Sequence, residues 1–123
     1  MIKIDVTELS YPLFRQLYSL NMRDKGRMRD ALVEHRLTKG ATCYIIGDVA
    51  AWAIVRMEEY RKEGRVIHRR TADFYVRQSL RKQGLGRILV DAVKKKHPKI
   101  VVRQHNEGSK EFFRRTLWND KNW

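Results

Sequence analysis

Phe74-Tyr75-Val76-Arg77-Gln78-Ser79-Leu80-Arg81-Lys82-Gln83-Gly84-Leu85-Gly86-Arg87 is the stretch on which the fold turns. An apolar run ends at Val76 and a basic loop with two glycines two residues apart follows. Leu85, Ile88, Leu89, Ala92 and Val93 then recur at helical spacing. Strand, glycine loop and helix N-terminus together make a place for phosphate. The first amides of a helix lack an intrahelical acceptor and carry a partial positive charge, and glycine lets an anion come close to the main chain. Arg81, Lys82 and Arg87 add charge-assisted contacts. An Arg/Gln-x-x-Gly-x-Gly match arises by chance in roughly one chain of this size in twenty, and the flanking strand and helix narrow that further. The dinucleotide fingerprint competes for the same glycines. It needs a third glycine where Leu89 stands and an acid near Gln104, and both are missing. No P-loop sequence occurs.

Working toward the C-terminus, the helix from Gly84 to Lys96 stops at His97-Pro98, because the residue before a proline is pushed out of the helical region. Ile100 to Val102 reads as a buried strand and Gly108 to Leu117 as a last short helix. Toward the N-terminus, Val66 to Val76 reads as a strand preceded by a turn from Tyr60 to Arg65 that holds Gly64. Two further strands, Ala41 to Ile46 and Val49 to Met57, are joined by Gly47-Asp48, which suits a two-residue hairpin turn. Met28, Ala31, Leu32 and His35 fall on one helical face, as do Leu13, Phe14, Leu17 and Tyr18 after Tyr11-Pro12, with a break between Asn21 and Gly26. Ile2 to Val6 alternates as a half-buried strand does. The order β, α, α, β, β, β, α, β, α predicts an α/β (α+β) fold with a mixed, mostly antiparallel central sheet flanked by helices.

With 123 residues, one domain spanning 1–123 is expected. Lys and Arg number 27 against 14 Asp and Glu, a net charge of +13, and 33% of residues are charged. That balance speaks of anionic partners: nucleic acid, a phosphate-rich cofactor, an acidic protein or a membrane surface. The cations cluster at Arg65, Arg69 and Arg70, at Lys94, Lys95, Lys96 and Lys99, and at Arg103, Lys110, Arg114 and Arg115, besides the loop itself. No apolar run approaches the ~18 residues of a membrane span, and Asp5 interrupts any signal-peptide layout. The lone Cys43 permits no internal disulfide and reads as buried and inert. His35, His68, His97 and His105 lack metal-ligand spacing, so no metal is expected. The composition predicts an intracellular, cytoplasmic protein.

The run from Phe74 to Arg87 resembles the acetyl-coenzyme A motif of the GNAT N-acetyltransferase superfamily. Asn106-Glu107-Gly108-Ser109-Lys110-Glu111-Phe112-Phe113 is similar to a second family pattern, Asn-x-x-Ala/Ser-x-x-Phe-Tyr, placed after the next strand as in the family. The resemblance implies a GNAT-like fold with a shortened C-terminus and acetyl-CoA as acyl donor. It implies that the backbone of Phe74, Tyr75 and Val76 binds the pantetheine arm as an added strand would. The amides of Arg81, Lys82, Gln83, Gly84, Leu85, Gly86 and Arg87 would cradle the pyrophosphate, Asn106 would reach the pantetheine, and Phe113 would pack near the thiol. The amide of Val76 would face the developing oxyanion.

The sequence departs from the family where protons move. Phe113 stands where the family often has a tyrosine that protonates the thiolate, and Arg70 and Ala72 occupy the strand positions of the usual general base. His68, on the same strand parity, and His105, beside Asn106, are the nearest titratable candidates; each also reads as an ordinary surface or core histidine. Glu58 and Glu59 could approach from the neighbouring strand. The expected activity is acetyl transfer to a primary amine, with the positive charge favouring an acceptor on an anionic carrier such as an acidic protein or an RNA-associated substrate. A homodimer could complete an open acceptor site, with Trp118 and Trp123 as contacts. Two other classes stay open: a non-catalytic acyl-CoA-binding module of the same fold, and a basic nucleic-acid-binding protein. Against the last, the sequence shows no aromatic stacking platform and no base-reading motif.

Overall fold

A computed structural model describes residues 3–26, 28–36 and 40–102. Its elements run β1 (Ile4–Glu8), α1 (Tyr11–Arg23), α2 (Arg29–Arg36), β2 (Thr42–Ile46), β3 (Ala51–Lys62), β4 (Arg65–Val76), a 3-10 turn (Gln78–Leu80), α3 (Leu85–Lys96) and β5 (Val101–Val102). The helix expected over Gly108 to Leu117 lies outside the described residues.

The strands form one sheet in the order β1-β2-β3-β4-β5. The first four make an antiparallel meander, and β5 joins β4 in parallel, Thr71 opposite Val101 and Ala72 opposite Val102. A parallel neighbour cannot be reached by a hairpin, so the chain crosses over the sheet, and α3 is that crossover. Both faces of β3 are therefore buried from Ala51 to Val55. Ala51, Ala53 and Val55 pack with Leu89, Val90 and Val93 of α3, whereas Trp52 and Ile54 pack with Leu17 of α1 and Leu32 of α2. The apolar periodicity of the three helices has this cause: each lays one stripe on one side of the sheet.

Helix α1 begins where Ser10 accepts a hydrogen bond from the Leu13 amide at 3.3 Å, with proline in its first turn, where its missing N–H costs nothing. Helix α3 starts at Gly84, whose φ of +83° suits glycine, and ends on Lys94, Lys95 and Lys96, which complement the helix dipole.

Two turns differ from expectation. The link between β2 and β3 takes four residues, Gly47 to Ala50, closed by a bond from the Ala50 amide to the Ile46 carbonyl at 3.0 Å. It brings Val49 into the left-handed region at φ +56°, and burial of that side chain among the α1/α2-side core residues offsets the backbone cost. The second hairpin is tighter than the Tyr60 to Arg65 turn expected. Pairing continues to Lys62 opposite Arg65, and only Glu63 (φ +52°) and Gly64 (φ +76°) turn, the two positive φ values of a type I′ connection. Beyond Val55, β3 has no β2 partner, and before Thr71, β4 has no β5 partner among the described residues. Arg56 to Arg70 thus forms a two-stranded ribbon extending from the sheet.

Candidate active site

The register fixes which way the end of β4 faces. Val76 lies opposite Ala51, and the Arg77 amide donates to the Ala50 carbonyl at 3.0 Å. Peptide groups alternate in direction along an antiparallel ladder, so Tyr75 and Arg77 turn toward β3 while Phe74 and Val76 turn toward the β5 side. The pairing of β4 with β5 ends at Ala72 and Val102 among the described residues, just before those two peptides. The strand face turned toward β5 therefore runs straight into the loop that leads to α3.

That loop descends through the 3-10 turn and passes Lys82 in the left-handed region at φ +66° before reaching Gly84. A Cβ placed on Gly84 would meet nothing within 4 Å. Among the described residues no side chain caps the N-terminus of α3, which leaves its first amides without a side-chain acceptor there. A glycine cradle with a free approach, a helix N-terminus of twelve residues and two outward strand peptides fit a phosphate-bearing, pantetheine-like ligand. Lys82, Gln83 and Arg87 are exposed around the opening. Arg81 is partly committed elsewhere: its Nε donates to the Val76 carbonyl at 3.0 Å and its guanidinium lies 5.5 Å from the centre of the Tyr75 ring.

Of the two candidate bases, His68 is exposed in the ribbon opposite Glu59, eight residues before Val76, about 26 Å along an extended strand. The fold does not bring it to the loop. Glu58 accepts from Arg69 Nη2 at 3.3 Å in the same ribbon, equally remote. His105, Asn106 and Phe113 lie outside the described residues, as do Phe112, Trp118 and Trp123.

Two carboxylates, Asp73 buried and Asp24 partly buried, are absent from the sequence reading. Asp73 Oδ2 meets His35 Nε2 at 2.5 Å, and both side chains are fully excluded from solvent between α2 and β4. An acid inside the apolar run Thr71 to Val76, with a histidine on the apolar face of a helix, was the available signal. Asp24, the C-cap of α1, accepts from Arg77 and Tyr75 side chains and from the Gln78 amide. The Arg77 guanidinium, with the Gln78 amide and the Tyr75 hydroxyl, lowers its carboxyl from 3.8 to about 2 against the opposing effect of burial. The folded value lies below the ordinary one, so this carboxylate contributes stability above pH 4 and loses that contribution as pH falls toward 2. Burial, reinforced by Asp24, pushes the Tyr75 hydroxyl up to about 12, which keeps it a donor.

Cys43 is wholly buried in β2, and burial pushes its thiol up to about 12. Since the thiolate is the reactive form, a water-soluble thiol reagent at neutral pH leaves the folded protein unmodified while labelling the denatured chain. Rapid labelling under native conditions would contradict this burial.

The mixed sheet thus ends β4 in the glycine loop, with the outer peptides of Phe74 and Val76 directed to the β5 side. Residues 4–117 match the model of the acetyltransferase (GNAT) family, and the chain belongs to that family. A search of curated proteins finds no match. Among solved structures, a point mutant of the AtaT toxin bound to the C-terminus of the antitoxin AtaR superposes with a TM-score of 0.62 at 19% identity, covering 94% of this chain and 83% of that one. The same mutant toxin with both the antitoxin C-terminus and acetyl-CoA gives 0.59 at 18% identity, covering 94% and 82%. A ribosomal-protein-alanine N-acetyltransferase from Brucella melitensis biovar Abortus 2308 gives 0.60 at 16% identity, covering 94% and 90%. At these identities the likeness is one of fold.

Proposed function

We propose that this protein transfers an acetyl group from acetyl-CoA to a primary amine carried on an anionic molecule. The observation that carries the first half is the continuity at the end of β4: the outward peptides of Phe74 and Val76 lead directly into the open cradle at Gly84 and the N-terminus of α3. Acetyl-CoA would supply an acetyl thioester, an activated carbonyl that an amine can attack. The protein's own part is to hold and orient. The strand peptides bind the extended arm as a neighbouring strand would, and the α3 amides with Lys82 and Arg87 balance the phosphate charge. The N–H groups of Phe74 and Val76 point to the side where the carbonyl oxygen gains charge, and stabilisation of that oxygen together with proximity supplies most of the rate in such a transfer.

The charge supports an anionic carrier. At the ribbon tip Lys62 stands directly opposite Arg65, a like-charge pair that costs stability unless an anion lies near it. Titration of nucleic-acid-free protein with acetyl-CoA, followed by acetylation of amines on acidic peptides and on aminoacylated RNA, tests the reading. Saturable binding and transfer to the charged acceptors in preference to neutral ones are expected; absence of acetyl-CoA binding at moderate salt overturns it. The distance of His68 from the loop, with Arg70 and Ala72 on the strand, favours one second reading, an acyl-CoA-binding module without turnover. Binding with no transfer to any amine would select it.

A further inference from the structure

The corner between β4 and the glycine loop is held by a carboxylate at the end of α1, the helix on the sheet face opposite α3. Asp24 closes α1, its own amide donating to the Leu20 carbonyl at 3.1 Å. Its Oδ2 accepts from the Tyr75 hydroxyl at 3.0 Å, from Arg77 Nε at 2.8 Å and from the Gln78 amide at 3.1 Å, and its Oδ1 accepts from Arg77 Nη2 at 3.2 Å. Four donors converge from three residues that span the change from strand to loop. Only an acceptor-only group with two oxygens can satisfy all four; an amide would set its own NH2 against one of them.

The α1–α2 connection is seated on the same corner. A Cβ on Gly26 would come within 2.7 Å of the Tyr75 ring and 2.3 Å of Asn21 Oδ1, and that Asn21 oxygen accepts from the Met28 amide at 3.0 Å. Tyr75 also carries the Arg81 guanidinium on its ring, and its ring centre lies 4.6 Å from that of Trp52. The partners of Asp24 are Tyr75, Arg77 and Gln78 and not Gly84 or the first turn of α3, so its influence on the glycine cradle passes through those three residues.

We infer that Asp24 is a positioning residue: it fixes the corner from Tyr75 to Gln78, sets the loop that ends at Gly84 in the shape that receives a diphosphate, and ties that loop to the α1–α2 connection. This rests on the acetyl-CoA reading of the loop. It makes a prediction whose sign separates it from simple electrostatics. Asp24→Asn removes a negative charge close to the cradle, which by charge alone tightens binding of a polyanion. Loss of the clamp loosens it.

The test is calorimetric titration of the wild-type protein, Asp24→Asn and Asp5→Asn with acetyl-CoA, with unfolding midpoints measured in parallel. Asp5 is exposed on β1, three strands from β4 and beside Lys3, so its replacement reproduces the change in net charge without touching the corner. The expected result is a Kd raised about tenfold in Asp24→Asn, within the range measured for loss of charged hydrogen bonds, and unchanged or slightly lowered in Asp5→Asn. Where turnover is measured, KM for acetyl-CoA rises with kcat held. Folded Asp24→Asn that binds as tightly as wild type, or more tightly, overturns the inference and leaves the acetyl-CoA reading standing. No binding by the wild type overturns that reading and the inference with it. Should Asp24→Asn not fold, Arg77→Lys keeps the charge while losing the forked contact; severalfold weaker binding is then expected, and unchanged binding overturns the inference.

Discussion

Replacing Gly84 with valine lowers affinity for acetyl-CoA on the order of 100-fold. At φ +83° the backbone occupies a region that a β-branched residue enters only at a cost of about 1–3 kcal/mol, so the loop shifts to relieve it. The space into which the new side chain points is open in the protein and is the space the phosphates would fill. Since each 1.4 kcal/mol is tenfold in a binding constant, displacement plus obstruction reaches two powers of ten. Gly64→Val is the matched control. Its φ is +76° and its surroundings are equally open, but it sits at the ribbon tip. It therefore lowers the unfolding midpoint without changing the Kd. Equal binding by wild type and Gly84→Val would mean that the cradle is not where the ligand lies.

The largest effect on stability comes from the buried pair of His35 and Asp73. Replacing either with alanine destabilises the fold by about 3–5 kcal/mol, because the remaining partner is left in an apolar interior without its counterpart. Replacing both with leucine costs much less than the two single changes together, since apolar side chains of similar size need no partner there. Urea unfolding of the two single variants and the double variant measures this directly. Additive losses below about 1 kcal/mol each would show that the pair contributes nothing as a pair. The position gives the effect its reach: the pair fastens α2 to β4 two residues before Tyr75, on the opposite face of the sheet from α3.

What the sequence disclosed followed from locality. The strand, glycine loop and helix at Phe74 to Arg87 form one continuous stretch, and the apolar stripe of α3 and the φ-permissive Gly84 are properties of neighbouring residues. The order of elements could be read for the same reason. The turn at Gly47 could not, because the preference of valine for negative φ gave way to burial of Val49 by residues far along the chain. The outer half of the ribbon is largely exposed and lacks the apolar alternation that marks a strand, so its sequence reads as a wider turn. Asp24 and its partners are separated by up to 54 residues, and His35 and Asp73 by 38. Neither pairing leaves a periodic trace. His35 was placed on the inner face of its helix, but nothing near it in the chain named the acid it meets. Strand parity puts His68 on a face but fixes no distance, and the length of β4 carries it away from the loop.

The parallel pairing of β4 with β5, the one such pairing among the described residues, also bears on the order of assembly. Strands β3 and β4 meet across Glu63 and Gly64, so their hairpin closes with little loss of chain entropy. Thr71 finds Val101 only after the whole of the glycine loop and α3 has been laid across the sheet. The meander can therefore assemble while the crossover is still unstructured, and the mouth beside Phe74 and Val76 comes into being last. A ligand that bound only the completed mouth would stabilise the folded chain by mass action.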